Sequence, residues 1–573
     1  MFLKQIFQFV ERSQTKKILI FSGVSVFAIQ SLISIINFSV NIPHADDWPP
    51  VVIALHYLQN DPKWIDLFLS HVNEHYLYTY RLIMMVGLLL NSFNIQQFMI
   101  VNWGFFVSSI VIFYIFLKKT DSRFVWLIIP ISAFIFHPKM VSANLIASFG
   151  LQWIGTFFYL SLVVGILFKE KLSKFWFVVA MCISIVATFN TFIGLLTWVI
   201  GIVILFSRFK ENRVHFLVWL SISIIVFSLY YSDMEFEDRE NSILSAISVE
   251  GFYWGLQYVS TSFSIGYLQL EMLAGFTTLF SLIFISGYFL KKRVNKAYPW
   301  IVFGLVGILS TIIMTGGRFG VRPPTEGYLI PISLFVQISV LVLLTILFFD
   351  IKKSKKKIVS ITTILYIIFV SSQFVLFSSA YVVGYQYQYE MNNEQSNWIT
   401  CFDLPSNLDA CAKAMWFVDE KIWDILIERK INIFSDNEFF LKQEQKMEQL
   451  SIKWNSFRDG TGDGNIEKIN GQEVSDNSSI LIDNPFVNIK GWISASSEIK
   501  EMYLFIDDKV FLVTSNFNEN VFEKFDNGHA QIVHIDTTFF SAFLEKGCHE
   551  LSIGGVYDNQ KFVLEENIQI CKK

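Results

Sequence analysis

Apolar runs long enough to cross a bilayer follow one another through the first two-thirds of this 573-residue chain. A helix needs roughly 20 apolar residues to span the hydrocarbon, and only helices or closed barrels satisfy their backbone groups there. The runs that qualify are 18–40, 95–117, 124–138, 151–168, 175–189, 191–207, 214–231, 262–290, 298–315, 328–350 and 358–380, about 11 transmembrane helices. Composition agrees: 16% of residues are charged, against about 25% in a soluble domain.

Loop charge tests this threading independently, because Lys and Arg stay on the cytoplasmic side. Alternate loops collect Lys118, Lys119 and Arg123; Lys169, Lys171 and Lys174; Arg208, Lys210 and Arg213; Lys291, Lys292, Arg293 and Lys296; and Lys352, Lys353, Lys355, Lys356 and Lys357. The segment before the first run adds Lys4, Arg12, Lys16 and Lys17, whereas the intervening loops are nearly bare of basic residues. The threading therefore puts the N-terminus in the cytoplasm and, with an odd number of spans, the C-terminal region outside. The first run, Ile18 to Val40, exceeds the apolar stretch of about 7–15 residues of a signal peptide and reads as a retained helix. Residues 77–93 carry Tyr78, Tyr80 and Arg81 at their start. Counting them as a span would invert the loop charges, so they read as a helix in the outer interface.

Residues 1–384 are thus a membrane domain, 385–485 a helical and linker region, and 486–573 a strand-rich domain. Within the linker, 411–446 reads as helix and the Gly-, Asp-, Asn- and Ser-rich stretch 451–485 as loop. Short β-rich runs at 487–494, 503–507, 509–513, 531–536, 549–557 and 562–570 suggest an antiparallel β-sandwich, making the outer part an α+β domain. Cys401, Cys411, Cys548 and Cys571 all fall outside by this threading, and Cys182 alone falls in a span. The spacing suggests disulfides Cys401–Cys411 and Cys548–Cys571, although four cysteines allow three pairings.

Polar residues at a membrane rim carry the functional information, because they are costly near lipid. The outer segment 41–76 holds Asp46 and Asp47 directly after the first span, then His71, Asn73, Glu74 and His75 just before Arg81. Adjacent carboxylates repel, so one can have a raised pKa and act as a base; an acid-bearing loop in water is the plainer alternative. A later outer loop, RFGVRPPTEGY, carries Arg318, Arg322, Glu326 and Tyr328. Outer arginines run against the charge rule, and either a phosphate ligand or a bridge to the first loop's acids would account for them. Asn144 and Gln152 enter a helix from outside, to cap it, pack or contact a ligand. A metal site is not indicated, although the acids could hold a hard cation. The net charge of −4 gives no sign of nucleic-acid binding. No phosphate-cradling glycine loop stands on the short inner loops, which argues against a cytoplasmic nucleotide-sugar donor.

Asp46-Asp47-Trp48 after the first span, Asn73-Glu74-His75 further on, Gly150-Leu151-Gln152 and the multi-span body resemble bacterial GT-C superfamily membrane glycosyltransferases. The likeness is to the type that uses polyprenyl-phosphate sugars and modifies O-antigen or other surface glycans. Gly491-Trp492 and the Gly-Cys-His-Glu-Leu run at 547–551 resemble the β-sandwich many of them carry. Two departures stand out. Tyr76 occupies the place where an arginine often follows Asn-Glu-His, and Glu326-Gly327-Tyr328 replaces a Ser-Arg-Tyr-like motif. The resemblance implies an inverting transfer at the outer face of the inner (cytoplasmic) membrane, to a glycan or lipid-linked glycan acceptor, with membrane lipid around it and no cofactor. Asp46 or Asp47 would be the base, with Glu74 and His75 orienting the acceptor or the aspartate. His71, Asn73, Arg81, Asn144, Gln152, Arg318, Arg322 and Tyr328 would bind substrate. Rival readings are a transporter or flippase of lipid-linked sugars, a glycan ligase or polymerase, and a non-enzymatic surface-binding protein.

Overall fold

The computed structural model describes residues 13–38, 48–70, 75–90, 94–141, 150–232, 248–263, 267–319, 324, 330–351, 375, 377–384, 453, 455–456, 458–469, 472–474, 479–482, 486–495, 499–507, 509–514, 531–540 and 547–572. The chain forms two compact units. One comprises Met1–Val40, Pro62–Leu88 and Ile95–Asn392; the other comprises Asn41–Asp61, Leu89–Asn94 and Asn393–Lys573.

The first unit is helical: α1 Ser13–Phe38, α3 Lys63–Leu69, α4 Tyr78–Leu90, α5 Gln96–Thr120, α6 Ile128–Ile135, α7 Gly150–Leu167, α8 Lys174–Thr188, α9 Leu196–Ser207, α10 Phe209–Ser232, α11 Val249–Val259, α12 Leu268–Lys292, α13 Tyr298–Arg318 and α14 Ile330–Ile351. Helix α2, Trp48–Leu58, belongs to the second unit. Among the described residues seven helices are long and apolar enough to cross a membrane: Gln14–Asn37, Gln96–Thr120, Gly150–Leu167, Phe209–Ser232, Leu268–Lys292, Asn295–Arg318 and Ile330–Asp350. Three other expected spans form shorter apolar helices, at Ser122–Ile135, Lys174–Thr188 and Phe192–Ser207. Two of these spend part of their length in 3₁₀ turns, at Ser122–Leu127 and Phe192–Leu195. Lys174–Thr188 has 15 residues, roughly 22 Å at 1.5 Å per residue, less than a bilayer core of about 30 Å. The eleventh expected span, 358–380, lies almost wholly outside the described residues.

Glycine lets these helices close up. A Cβ on Gly275 would lie 1.9 Å from the Leu256 carbonyl oxygen, so only glycine brings α12 against α11. Buried hydroxyls are satisfied locally: Ser161, Ser184, Ser223, Ser310 and Thr315 each donate to the carbonyl four residues back.

Helix ends sort by charge. Lys16 Nζ donates to the Ser122 carbonyl (3.0 Å) and faces Trp126. Arg123 lies over Phe349 and Lys296 over Phe124, while Trp300 Nε1 donates to Thr120 Oγ1 (2.9 Å). Tyr288 and Lys292 both reach Asp350, at 3.3 and 3.5 Å. The start of α1, the end of α5, the end of α12, the start of α13 and the end of α14 therefore meet at one end. The loop after α7 joins them: partial burial and the like charge of Lys119 pull the Lys169 ammonium down. Arg208 donates to the carbonyls of Lys169 and Glu170, both at 2.7 Å. Glu271 is buried in the first turn of α12.

The described strands of the second unit form two sheets. One has the order β1-β10-β9-β6-β7, with β4 also on β10; the other has the order β3-β2-β5-β8. Their ranges are β1 Arg458–Asp459, β2 Gly462–Ile469, β3 Gln472–Glu473, β4 Ser479–Ile482, β5 Phe486–Ala495, β6 Ile499–Ile506, β7 Lys509–Thr514, β8 Gln531–Phe540, β9 Gly547–Tyr557 and β10 Gln560–Lys572. Ile466, Ile489 and Ile493 from one sheet and Leu504, Ile553 and Ile570 from the other share one core. The six expected strands all form. The expected loop 451–485 does not remain a loop, since it supplies β1 to β4. Its Gly462-Asp463-Gly464 opening hides a strand whose Ile466 and Ile469 point into the core while β5 supplies the hydrogen-bonding edge. The expected helix 411–446 lies outside the described residues.

Cys548 and Cys571 stand directly opposite in the β9–β10 ladder and are disulfide-bonded. Cys401 and Cys411 lie outside the described residues, and Cys182 is a free, exposed thiol. The bond closes a loop with a sequence separation of 23, worth about 3 kcal/mol in the chain-entropy model. Cys548→Ser should lower the denaturation midpoint of the strand-rich unit in full-length protein without reductant and have no effect with reductant. In unreduced, denatured protein a maleimide should modify Cys182 and leave Cys548 and Cys571 unmodified. Reaction at all five cysteines would contradict an oxidising location.

Candidate functional site

At the end of the helical unit opposite its basic cluster, several stretches far apart in sequence converge. The first is Tyr76 to Thr79, the lead-in to α4. Tyr76 donates its hydroxyl to the Tyr230 carbonyl (3.1 Å) at the end of α10 and packs edge-on against the Tyr230 ring. Tyr78 stacks on Phe189 and Phe68. Thr79 gives its N–H to the Phe189 carbonyl (2.9 Å) and its hydroxyl to the Val186 carbonyl (2.8 Å). Leu77, at φ 55°, makes the left-handed turn that reverses the chain between these anchors. This stapling fixes His75, which is buried.

His75 Nδ1 accepts the main-chain N–H of Phe192 (3.1 Å), and Arg318 Nη2 lies 3.3 Å from Nε2. Trp153 meets the imidazole edge-on, with centroids 6.2 Å apart. A neutral imidazole has one lone pair to accept with, and an arginine and a backbone N–H only donate. The Phe192 bond sets the proton on Nε2. Two donors, Nε2–H and the half-buried guanidinium, then face each other across 3.3 Å. Moving the ring proton to Nδ1 only transfers the excess donor to Phe192.

Beside this pair lies a buried amide and hydroxyl cluster. Asn190 Nδ2 donates to the Gln152 carbonyl (2.5 Å) and to Thr156 Oγ1 (3.0 Å). Thr156 shares a hydrogen bond with Thr191 (2.8 Å) and gives one to the Gln152 carbonyl (2.7 Å). Both side-chain carbonyl oxygens, Gln152 Oε1 and Asn190 Oδ1, are buried without a hydrogen-bond partner among the described residues. The site thus sets the close approach of Arg318 to His75 beside two buried amide acceptors.

Of the residues singled out from sequence, the structure brings together His75 and Arg318, with Gln152 one residue from the Trp153 that packs on His75. Arg81 is engaged elsewhere: its buried guanidinium donates to the Phe68 carbonyl (2.8 Å) and to the Ser70 carbonyl, closing the C-terminal end of α3. Asp46, Asp47, His71, Asn73, Glu74, Asn144, Arg322 and Tyr328 lie outside the described residues. Among the described residues no cluster of three or more His, Cys, Asp or Glu side chains could hold a metal ion. Sequence reasoning missed Asn190, Thr191 and Trp153. The available signal was the polar break Asn190-Thr191 between two apolar runs.

No family model matches the chain, and no curated protein or solved structure matches it either.

Arg81→Met removes a charged donor from two carbonyls, which should cost about 1.5–3 kcal/mol per bond lost. The thermal midpoint of detergent-purified protein should fall, with Arg81→Lys intermediate. An unchanged midpoint would release Arg81 from this anchoring role and return it to substrate contact.

Proposed function

We propose that this chain is an inverting, GT-C-type membrane glycosyltransferase. It takes a sugar from a polyprenyl-phosphate donor and passes it to a surface glycan or lipid-linked glycan on the outer face of the bacterial inner membrane. The observation that carries the proposal is the approach of Arg318 to within 3.3 Å of His75. An arginine and a histidine held together at a membrane rim suit a phosphate oxygen that gains charge as the glycosidic bond breaks.

In this reading the bundle crosses the membrane about eleven times, with its basic end in the cytoplasm. Asp46 or Asp47 removes the proton of the acceptor hydroxyl as that oxygen attacks the anomeric carbon. Glu74 orients the acceptor. Arg318 and Arg322, with His75, stabilise the leaving phosphate, so no metal is required. Gln152, Asn144 and the newly recognised Asn190 accept hydrogen bonds from sugar hydroxyls. A transporter would carry its ionisable groups at mid-membrane. The buried Glu271 instead stands at a helix end, which favours the enzyme.

Purified protein should transfer sugar from a polyprenyl-phosphate donor without added divalent metal. Asp46→Asn and Asp47→Asn are each to be measured, and the one that removes the base should lose about 10²–10⁴-fold. Arg318→Ala should lose about 10²–10³-fold in kcat. Full activity in both aspartate variants, abolition by a chelator, or activity with a nucleotide sugar alone would overturn the reading.

A further inference from the structure

At the basic end of the helical unit several cations are answered by the protein itself. Arg123 pairs with Asp121 (2.6 Å), Arg208 with Glu211 (3.2 Å) and Lys292 with Asp350 (3.5 Å), while Lys16 donates to the Ser122 carbonyl (3.0 Å). Lys119 and Lys169 differ: neither has a carboxylate partner among the described residues.

The fold holds these two cations close together. Lys119 stands in the last turn of α5, which packs on α7 through Ile112 and Phe116 against Gly165. Lys169 follows the end of α7 by two residues and keeps its N–H on the Ile166 carbonyl (3.1 Å). Arg208 grips the carbonyls of Lys169 and Glu170, and the Lys169 ammonium lies 3.0 Å from the centre of the Trp176 ring. Burial and the like charge of Lys119 both pull this ammonium down, so the two cations feel each other. Glu170 is exposed, and its carboxylate pairs with neither lysine among the described residues. A shared anion relieves the repulsion between two such charges.

The surface leading to them is apolar. Within α7 only Phe158, Leu162 and Gly165 are half-exposed, every other residue being buried. They fall four and three residues apart, on one face of the helix, and Lys169 comes four further on. On α5 the exposed Val111 and Ile115 lead at the same spacing to Lys119. Helix α7 packs against both α5 and α8, and α8 brings Trp176 to the same rim. A soluble phosphate would use the two charges and leave the apolar strips unused, whereas a phospholipid uses both.

We propose that this surface binds an anionic phospholipid. Lys119 and Lys169 hold its phosphodiester, and Trp176 lies at headgroup level, where indoles concentrate. The acyl chains run along Phe158, Leu162 and Gly165 of α7 and along Val111 and Ile115 of α5. The site stands at the opposite end from the His75–Arg318 cluster and holds whether or not the chain transfers sugars.

The test uses full-length protein in phosphatidylcholine nanodiscs. These are doped with phosphatidylglycerol carrying a photoreactive acyl chain, or with phosphatidylcholine carrying the same chain. Crosslinks are mapped by mass spectrometry. Each lysine near an anionic headgroup is worth roughly fivefold, so phosphatidylglycerol should label residues 158–165 and 111–115 between about fivefold and about 25-fold more than phosphatidylcholine. Lys119→Gln and Lys169→Gln should each reduce that preference about fivefold, and the double variant should bring the two lipids level. Lys291→Gln removes an exposed lysine of the same end and should leave the preference intact. Thermal midpoints are measured alongside. If Lys169→Gln is unfolded, Lys119→Gln decides, because its side chain is exposed. Inorganic phosphate should reduce labelling no more than chloride at equal ionic strength. Equal labelling by the two lipids in the wild type, an equal loss of preference in Lys291→Gln, or displacement by inorganic phosphate beyond that by chloride would refute the proposal.

Discussion

Charge is too costly in hydrocarbon to stand along a spanning helix, and the helical unit is arranged around that cost. Many of its basic side chains, Arg81 and Arg318 excepted, are gathered where α1 and α13 begin and where α5, α12 and α14 end. There they pair with Asp121 and Asp350 or lie over Trp126, Phe124 and Phe349. Once this end is set, the direction of every long helix follows, and so does the place where α10, α13 and the lead-in to α4 must finish. Tyr230, Arg318 and His75 meet at the other end because each closes a helix, or opens one, that leaves the basic end behind.

Away from the ends, many polar atoms are answered nearby. Trp219 Nε1 donates to the Trp198 carbonyl (3.0 Å), and Trp198 Nε1 to Thr188 (2.9 Å), so α8, α9 and α10 are held by indoles whose rings also fill the core. Gly201 makes room for this: a Cβ there would fall 2.2 Å from the Trp219 ring. Against that background the unanswered atoms stand out. Gln152 Oε1, Asn190 Oδ1 and Gln337 Oε1 are buried acceptors, and leaving such a group unsatisfied costs about 1–3 kcal/mol. The first two adjoin the His75–Arg318 pair.

Much of this was legible in the sequence, for physical reasons. Spanning helices announce themselves by length and apolarity, and Gln96–Thr120 and Ile330–Asp350 match their expected runs closely. Alternation revealed β5 to β10, and the Cys548–Cys571 pairing followed from cysteines placed at the ends of neighbouring strands. The strand Gly462–Ile469 escaped because its glycines and aspartate imitate a loop, and only its partner β5 makes it a strand. Arg81 looked like a ligand contact because an arginine at a membrane rim wants an acceptor; the two it found are main-chain carbonyls. Asn190 was missed because the polar break it makes with Thr191 does not reveal its partner, the carbonyl of Gln152, 38 positions away.

The central claim is that the basic end and the His75–Arg318 end lie on opposite sides of a membrane, with the second outside. In a Cys182→Ser background, Ser173→Cys marks the basic end and Ser232→Cys the other; both serines are exposed and belong to the same helical unit. A membrane-impermeant maleimide is applied to intact cells, with the outer membrane permeabilised where one is present, and then to lysed cells. The account predicts labelling of Ser232→Cys in intact cells and of Ser173→Cys only after lysis. Labelling of Ser173→Cys in intact cells, or equal labelling of both, would contradict it.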